Sequence, residues 1–259
     1  MKVVSWNINS VRLRLGLLKK LIEEEKPDVI CLQETKVVND LFPVNEIKSF
    51  GFDNIHFLGE KSYNGVAIIS KFPLYDNEIF FFGGKEDSRC IKSVINGFNL
   101  YNIYIPAGGD IPDPDENDKF KHKLDYVQDL TNHFTNCKHE KTIILGDFNI
   151  APLENDVWSH KQLTKVVSHT PIEIEHITKL QNSINFIDTH RNFVDNSEKL
   201  YSWWSYRNRN WEKSNRGRRL DHIWITPDIS KCLDSSYIKK DCRNWDKPSD
   251  HVPIISVFK

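Results

Sequence analysis

Runs of apolar residues alternate with amphipathic segments from one end of the chain to the other. Val3 to Ile8 reads as a buried strand, and Leu15, Leu18, Leu21 and Ile22 recur at helical spacing in a charged segment that stops at Lys26-Pro27. Asp28 to Gln33, Gly65 to Ser70 and Phe98 to Ile105 read as further strands. Phe120, Leu124, Val127, Leu130 and Phe134 mark a second amphipathic helix, which runs out at His139-Glu140 before a strand from Thr142 to Leu145. The loop from Gly108 to Asn117, rich in Pro, Gly and acids, is a solvated lead-in to that helix. A last strand-like run, Ile254 to Phe258, closes the chain. No repeat, low-complexity block or linker divides this α/β or α+β order, so one domain over 1–259 is expected, with sheets at its centre.

Composition narrows the class. At 259 residues and 39% hydrophobic the chain has ample material for a core, and a formal net charge of -1 puts any nucleic-acid binding on a local basic surface. Cys31, Cys90, Cys137, Cys232 and Cys242 show no paired spacing, which points to reduced thiols. No signal-type or membrane-length apolar run occurs, so a cytoplasmic protein with no membrane contact is expected.

Chemistry collects where the strands stop. Val29 to Leu32 delivers Gln33-Glu34-Thr35-Lys36, Ile143 to Leu145 delivers Gly146-Asp147-Phe148-Asn149, and the first strand delivers Asn7 and Asn9. Asp250 and His251 stand side by side just before the last strand. A carboxylate is expensive to bury unless it is paired or holds a metal, and strand ends are where α/β proteins keep their chemistry. Each residue alone also has an ordinary reading, Glu34 as a helix-start carboxylate, Gly146-Asp147 as a turn, Asp250-His251 as a turn with a bonded imidazole. Together they point to a divalent cation and a phosphate oxygen held at one place.

The combination resembles the exonuclease III type of abasic-site endonucleases, within the endonuclease/exonuclease/phosphatase superfamily. The motifs that carry it are Ser5-Trp6-Asn7-Ile8-Asn9-Ser10-Val11-Arg12, Leu32-Gln33-Glu34-Thr35-Lys36, Asn102-Ile103-Tyr104-Ile105-Pro106, Gly146-Asp147-Phe148-Asn149-Ile150, Arg219-Leu220-Asp221-His222 and Ser249-Asp250-His251-Val252-Pro253. The resemblance implies a DNase I-like fold, a four-layer sandwich of two mixed β-sheets flanked by helices. It implies magnesium, with manganese as a substitute, held by Glu34 with Asn7 and Asp250 nearby. Asp147 is implied to orient or deprotonate the attacking water, Asn149 to hold the phosphate or that water, and Tyr104 to stand near the phosphate or leaving oxygen. Asp221 is implied to accept the imidazole N–H of His251. Either Asp147 or His251 could be the base.

The segment from Tyr201 to Arg219 interleaves Trp203, Trp204, Tyr206 and Trp211 with Arg207, Arg209, Lys213, Arg216, Arg218 and Arg219. Such a surface neutralises phosphates and stacks on exposed bases, as damaged duplex DNA requires. By resemblance Trp203 lines a pocket for a flipped abasic sugar, and Arg12, Lys36, Tyr63 and Arg89 contact phosphates or the minor groove, as Arg207 and Arg216 also would. Two departures stand out: Ala107 follows Pro106 where relatives commonly carry an amide, and Arg218 stands where some relatives have an aromatic. The implied function is a metal-dependent DNA repair nuclease, monomeric, that cuts duplex DNA 5′ to abasic sites and trims or cleans 3′ ends. The alternatives are a superfamily phosphodiesterase or phosphatase acting on a lipid or inositol phosphate, and a non-catalytic DNA-binding relative.

Overall fold

A computed structural model describes residues 1–136, 139–208 and 210–259, so Cys137 and Arg209 lie outside the described residues. In chain order the strands are β1 (Lys2–Asn7), β2 (Val29–Gln33), β3 (Asn54–Leu58), β4 (Val66–Ser70), β5 (Tyr75–Phe80), β6 (Cys90–Ile95) and β7 (Phe98–Tyr104). There follow β8 (Thr142–Asp147), β9 (Ile187–Asp188), β10 (Trp203–Trp204), β11 (Gly217–Arg218), β12 (Asp221–Ile225), β13 (Leu233–Ile238) and β14 (Ile254–Phe258). The helices are α1 (Leu15–Glu25), α2 (Val44–Ser49), α3 (Asp118–Asn136), α4 (His160–Leu163), α5 (Pro171–Ser183) and α6 (Trp211–Ser214).

Two six-stranded mixed sheets result, ordered β13-β14-β1-β2-β4-β3 and β5-β6-β7-β8-β12-β9, with β10-β11 a separate ribbon. Alternation along the strands explains the layering. Val3, Val29, Cys31 and Ile68 from the first sheet meet Ile91, Leu100, Ile143 and Ile223 from the second in one buried cluster. On the outer face of the first sheet, Val4, Trp6, Ile30 and Leu32 pack with Leu18 and Leu21 of α1. On the outer face of the second, Tyr101, Ile103, Ile144 and Trp224 pack with α3 and α5. Helix, sheet, sheet, helix is the four-layer order that the resemblance implies.

The helix ends follow local chemistry. Lys26 closes α1 in the left-handed region at φ 49°, where Pro27 follows and no helix continues. Thr170 opens α5 with a capping box, its hydroxyl and the Glu173 carboxylate satisfying each other's backbone N–H groups, ahead of Pro171. Asn117 does similar work for α3, accepting from Lys119 N at 3.0 Å while its amide donates to the carbonyls of Gly108 and Ile111. The prolines and glycines of that lead-in therefore end on an ordered helix start.

A polar clamp crosses the sheets just below their common end. Asn102 of β7 donates to Leu32 O at 3.0 Å and Ala67 O at 2.9 Å in the other sheet, while Gln33 donates to Asn102 Oδ1 at 2.7 Å. All of this is buried, so each bond lost leaves an unmet polar group. Asn102→Leu is expected to lower stability by about 3 kcal/mol, the cost of two or more orphaned buried groups, and the melting temperature by roughly 10 °C. A thermal melt within about 2 °C of the parent would contradict the clamp's role.

Candidate active site

Topology gathers the acids. Strands β1 and β2 run parallel, as do β7 and β8, so Asn7, Glu34, Tyr104 and Asp147 come off the same end of the sandwich. Strand β12 runs antiparallel to β8 with Asp221 opposite Asp147, and β14 runs antiparallel to β1, so the segment leading into it carries Asp250 and His251 to that end as well. Gly146 permits the close pairing. A Cβ there would stand 1.8 Å from Ile103 O, and its φ of +139° lies outside the usual range of L side chains.

The backbone is bent at the same place. Asn9, Glu34, Lys36 and Asn149 all have φ between 49° and 53°, left-handed positions that cost non-glycine residues about 1–3 kcal/mol each. Glu34 thus sits on a sharp turn and starts no helix. Its carbonyl accepts from Ser10 N at 2.7 Å, which ties the two metal-side loops together.

Side chains then interlock. Asn7 donates from Nδ2 to Glu34 Oε1 at 2.8 Å and to Asp147 Oδ2 at 2.9 Å, and Tyr104 donates its hydroxyl to Glu34 Oε1 at 2.9 Å. Asn149 donates its backbone N–H to Asp147 Oδ1 at 2.9 Å and its amide to Asp147 Oδ2 at 3.2 Å. His251 Nδ1 lies 2.8 Å from Asp221 Oδ2 and His251 Nε2 lies 3.6 Å from Asp147 Oδ2. Ser202 supports Asp221, donating to Oδ2 at 2.6 Å while its hydroxyl accepts from Asp221 N and Leu220 N.

The electrostatics follow from that geometry. Burial alone would neutralise the His251 ring, but the carboxylates of Asp221, Asp147 and Asp250 outweigh it, so its pKa is raised and the imidazolium is favoured. Burial pushes the Asp147 pKa up, and Asp221 and Glu34 add to the rise against the opposing pull of His251 and Asn7. Burial also acts upward on Glu34, yet Lys36 and the Asn7 bond outweigh it and leave the carboxyl lowered. Tyr104 is held as a neutral hydroxyl, raised by burial and by the charges of Glu34 and Asp147. Asp147 is thus the carboxylate of the group whose protonated form burial favours, while both nitrogens of His251 face carboxylates.

A cation fits here. Ligand atoms of Glu34, Asp147 and His251 lie within 4.8 Å of one another, and the ammonium of Lys36 already sits 2.7 Å from Glu34 Oε2 and 2.7 Å from Asn9 Oδ1. Glu34 and Asp147 offer oxygen donors of the kind that hard divalent cations select, whereas His251 offers a ring nitrogen that the surrounding carboxylates keep protonated. The structure does not bring Asp250 into that group: its carboxylate accepts from Trp203 Nε1 at 3.0 Å and from Asn9 Nδ2 at 3.1 Å. Asn7 touches the group through its nitrogen, and its Oδ1 accepts from Asn9 N at 3.1 Å, so ligation by Asn7 requires the amide to turn.

Beside these groups lies a cleft of about 890 Å³, lined by Glu34, Tyr104, Asn149 and His251 and by Trp158, Trp203, Arg207 and Arg216. The sequence of residues 4–251 matches the model of the endonuclease/exonuclease/phosphatase family. The chain belongs to that family. A curated relative within it, exodeoxyribonuclease III of Haemophilus influenzae, is 32% identical over 282 residues, covering all of both chains. An AP endonuclease structure from Archaeoglobus fulgidus superimposes with a TM-score of 0.92 at 30% identity, covering 100% of this chain and 99% of that one. A 3′ phosphatase from Neisseria bound to a product DNA hairpin gives the same TM-score at 29% identity, again over 100% and 99%.

Not every residue singled out in the sequence projects into the family's cleft. Arg12, Tyr63, Arg207 and Arg216 are exposed, Arg216 stacking 4.7 Å over the Trp158 ring. Arg89 instead is paired to Asp87 at 2.5 Å and stacks 4.7 Å over the Tyr104 ring, so it steadies that tyrosine. Trp204 is core, and Trp203 lines the cleft. Arg219 corrects the reading of a wholly basic surface: it is 1% exposed and paired with Asp156 at 2.8 Å and Asp188 at 2.6 Å, too far from water to meet a phosphate.

Two supporting residues were not picked out from the sequence. Ser202 gives no local signal beyond its neighbours. Lys123 does, because it falls on the apolar face of α3 between Phe120 and Val127. Its ammonium is fully buried against Glu173 and donates to Asn149 O at 2.8 Å and Ala107 O at 3.3 Å.

Burial separates the arginines by experiment. Arg219→Ala leaves Asp156 with Arg191 alone and Asp188 without its guanidinium, and is expected to lower stability by about 3–5 kcal/mol, whereas Arg207→Ala should change it by less than about 0.5 kcal/mol. Denaturant titration of both variants checks this, and equal effects would contradict the assignment of Arg219 to the interior.

Proposed function

We propose that this chain is a magnesium-dependent DNA repair nuclease that hydrolyses the phosphodiester 5′ to abasic sites in duplex DNA and removes nucleotides or blocking groups from 3′ ends. It acts as a monomer in the cytoplasm, with manganese able to replace magnesium. The observation that carries the reading is a buried carboxylate with a raised pKa and an imidazole clamped between two acids, set beside a cleft lined by tryptophans and arginines. The family relatives named for exodeoxyribonuclease, AP endonuclease and 3′ phosphatase activity support the same chemistry.

Glu34 would hold the ion, with Asn7 after its amide turns, and Asp147 beside them. Magnesium bound there would supply positive charge against the phosphoryl oxygens. Asp147 takes the proton of the attacking water, its raised pKa matching it to that task near neutral pH. Asn149, bonded to both oxygens of Asp147, fixes the direction of its lone pairs. His251 stays an imidazolium, held by Asp221, and donates to a non-bridging oxygen as negative charge grows there. The 3′ oxygen leaves and takes its proton from solvent, giving a 3′ hydroxyl and a 5′ phosphate on the abasic residue. Arg207 and Arg216 neutralise backbone phosphates, and Trp203 flanks the flipped sugar.

A 5′-labelled duplex with one abasic-site analogue is expected to give a single magnesium-dependent product ending in a 3′ hydroxyl just before the lesion, and none in excess chelator. No cleavage with the duplex still bound would mean a non-catalytic binding protein. Cleavage only of lipid or inositol phosphates would place the chain elsewhere in the superfamily. Glu34→Ala should raise the magnesium midpoint and Asp221→Asn should lower kcat, each by about 10- to 100-fold, with duplex binding changed by less than about threefold. Binding lost in parallel with activity would contradict both roles.

A further inference from the structure

The guanidinium of Arg218, which lines the cleft, has no ion-pair partner among the described residues. Trp203 forms a backbone bridge with His251 on one side and pairs with Arg218 across β10-β11 on the other. Neighbouring strands lie about 4.8 Å apart, so the Arg218 backbone stands about 10 Å from that of His251, one further group out from the reacting centre. Its guanidinium carbon lies 5.3 Å from the Trp203 ring centroid, and its Nη1 donates to Val167 O at 2.9 Å and Ser168 Oγ at 2.6 Å. These contacts fix the guanidinium in place. Its Nε has no partner, and no ion pair among the described residues includes it.

Most acids around the cleft are committed elsewhere, and none of the described ion pairs joins Arg218 to the exposed Asp110, which also lines the cleft. Glu34 is bonded by Lys36, Asn7 and Tyr104, Asp250 by Trp203 and Asn9, and Glu173 by Lys123. A guanidinium that is oriented, partly withdrawn from water and unpaired is a receptor for an anion.

Resting on the nuclease reading above, we infer that Arg218 receives a negatively charged group one position beyond the scissile phosphorus, on the part of the substrate that keeps the phosphate. It is thereby a specificity-determining residue that favours charged over neutral groups at that position. Two sources offer the same chemistry. One is the carboxylate of an oxidised sugar remnant esterified to a 3′-terminal phosphate, and the other is the next backbone phosphate beyond an internal abasic residue. Water attack, proton transfer to Asp147 and departure of the 3′ oxygen are unchanged in either case.

The test pairs a charged with a neutral substrate for each source. A recessed 3′ end carrying phosphoglycolate is compared with one carrying the uncharged 2-hydroxyethyl phosphate ester. An internal abasic analogue followed by a normal phosphate is compared with one followed by a methylphosphonate. The wild type is expected to favour the charged member of at least one pair by about 10-fold in kcat/KM, the worth of one charge-assisted hydrogen bond. Arg218→Gln should abolish that preference while altering the neutral substrates by less than about twofold, and Arg218→Lys should restore part of it. Preference confined to the first pair assigns the carboxylate, and preference confined to the second assigns the backbone phosphate.

A wild type indifferent in both pairs overturns the inference even if the variants fail to fold. A uniform loss across all four substrates in a folded Arg218→Gln protein overturns it too. A wild type that cleaves none of the four defeats the nuclease reading itself, an outcome distinct from either.

Discussion

The site depends on one arrangement, an imidazole held between two buried carboxylates. His251 bonds Asp221 through one nitrogen and faces Asp147 through the other, and all three are at most 5% exposed. Isolated charges at such depth would be neutralised; sharing one positive ring makes two negative acids tolerable. The consequence is a division of labour. The ring is favoured as a cation, and Asp147, pressed toward neutrality by its burial and then by Asp221 and Glu34, is the carboxylate with the raised pKa.

Holding those groups is the work of the whole sandwich. Parallel β1-β2 and β7-β8 and the antiparallel β12 and β14 present their functional ends on one side, and the Gln33-Asn102 clamp locks the two sheets directly beneath. Behind the acids, the buried Lys123-Glu173 pair joins α3 to the start of α5 and to the carbonyls of Ala107 and Asn149. Arg219, Asp156 and Asp188 anchor the strand that carries Asp221. Polar groups are spent inside the protein so that a few charges near the cleft keep their direction.

Much of this was legible in the sequence. The strands leading to Glu34 and Asp147 are short apolar runs, β7 mixes polar with apolar positions, and the two acids stood out because burial makes them costly. The helix α3 was legible from its periodicity, although Lys123 on its apolar face signalled a buried ion pair that periodicity alone does not explain. Other elements were hidden for physical reasons. Strand β5 lies at an exposed edge with no inward apolar alternation, β9, β10 and β11 are two residues long, and α5 turns Glu173 inward where an apolar residue would mark a face. Charge in the Tyr201–Arg219 segment was read as one surface, but neighbouring arginines there face opposite environments, because a two-residue ribbon sends Arg218 to the cleft and the turn after it sends Arg219 to the core.

The most direct measurement of this account is the titration of His251 followed by nitrogen-15 NMR on imidazole-labelled, chelator-treated protein. Clamped between Asp221 and Asp147, the ring should keep both N–H protons well above the usual histidine range near pH 6.5, and should lose that protection in Asp221→Asn. A neutral His251 ring at pH 8 in the parent protein would contradict the central claim, since the ring would then be free to act as the base and Asp147 would lose its assigned role.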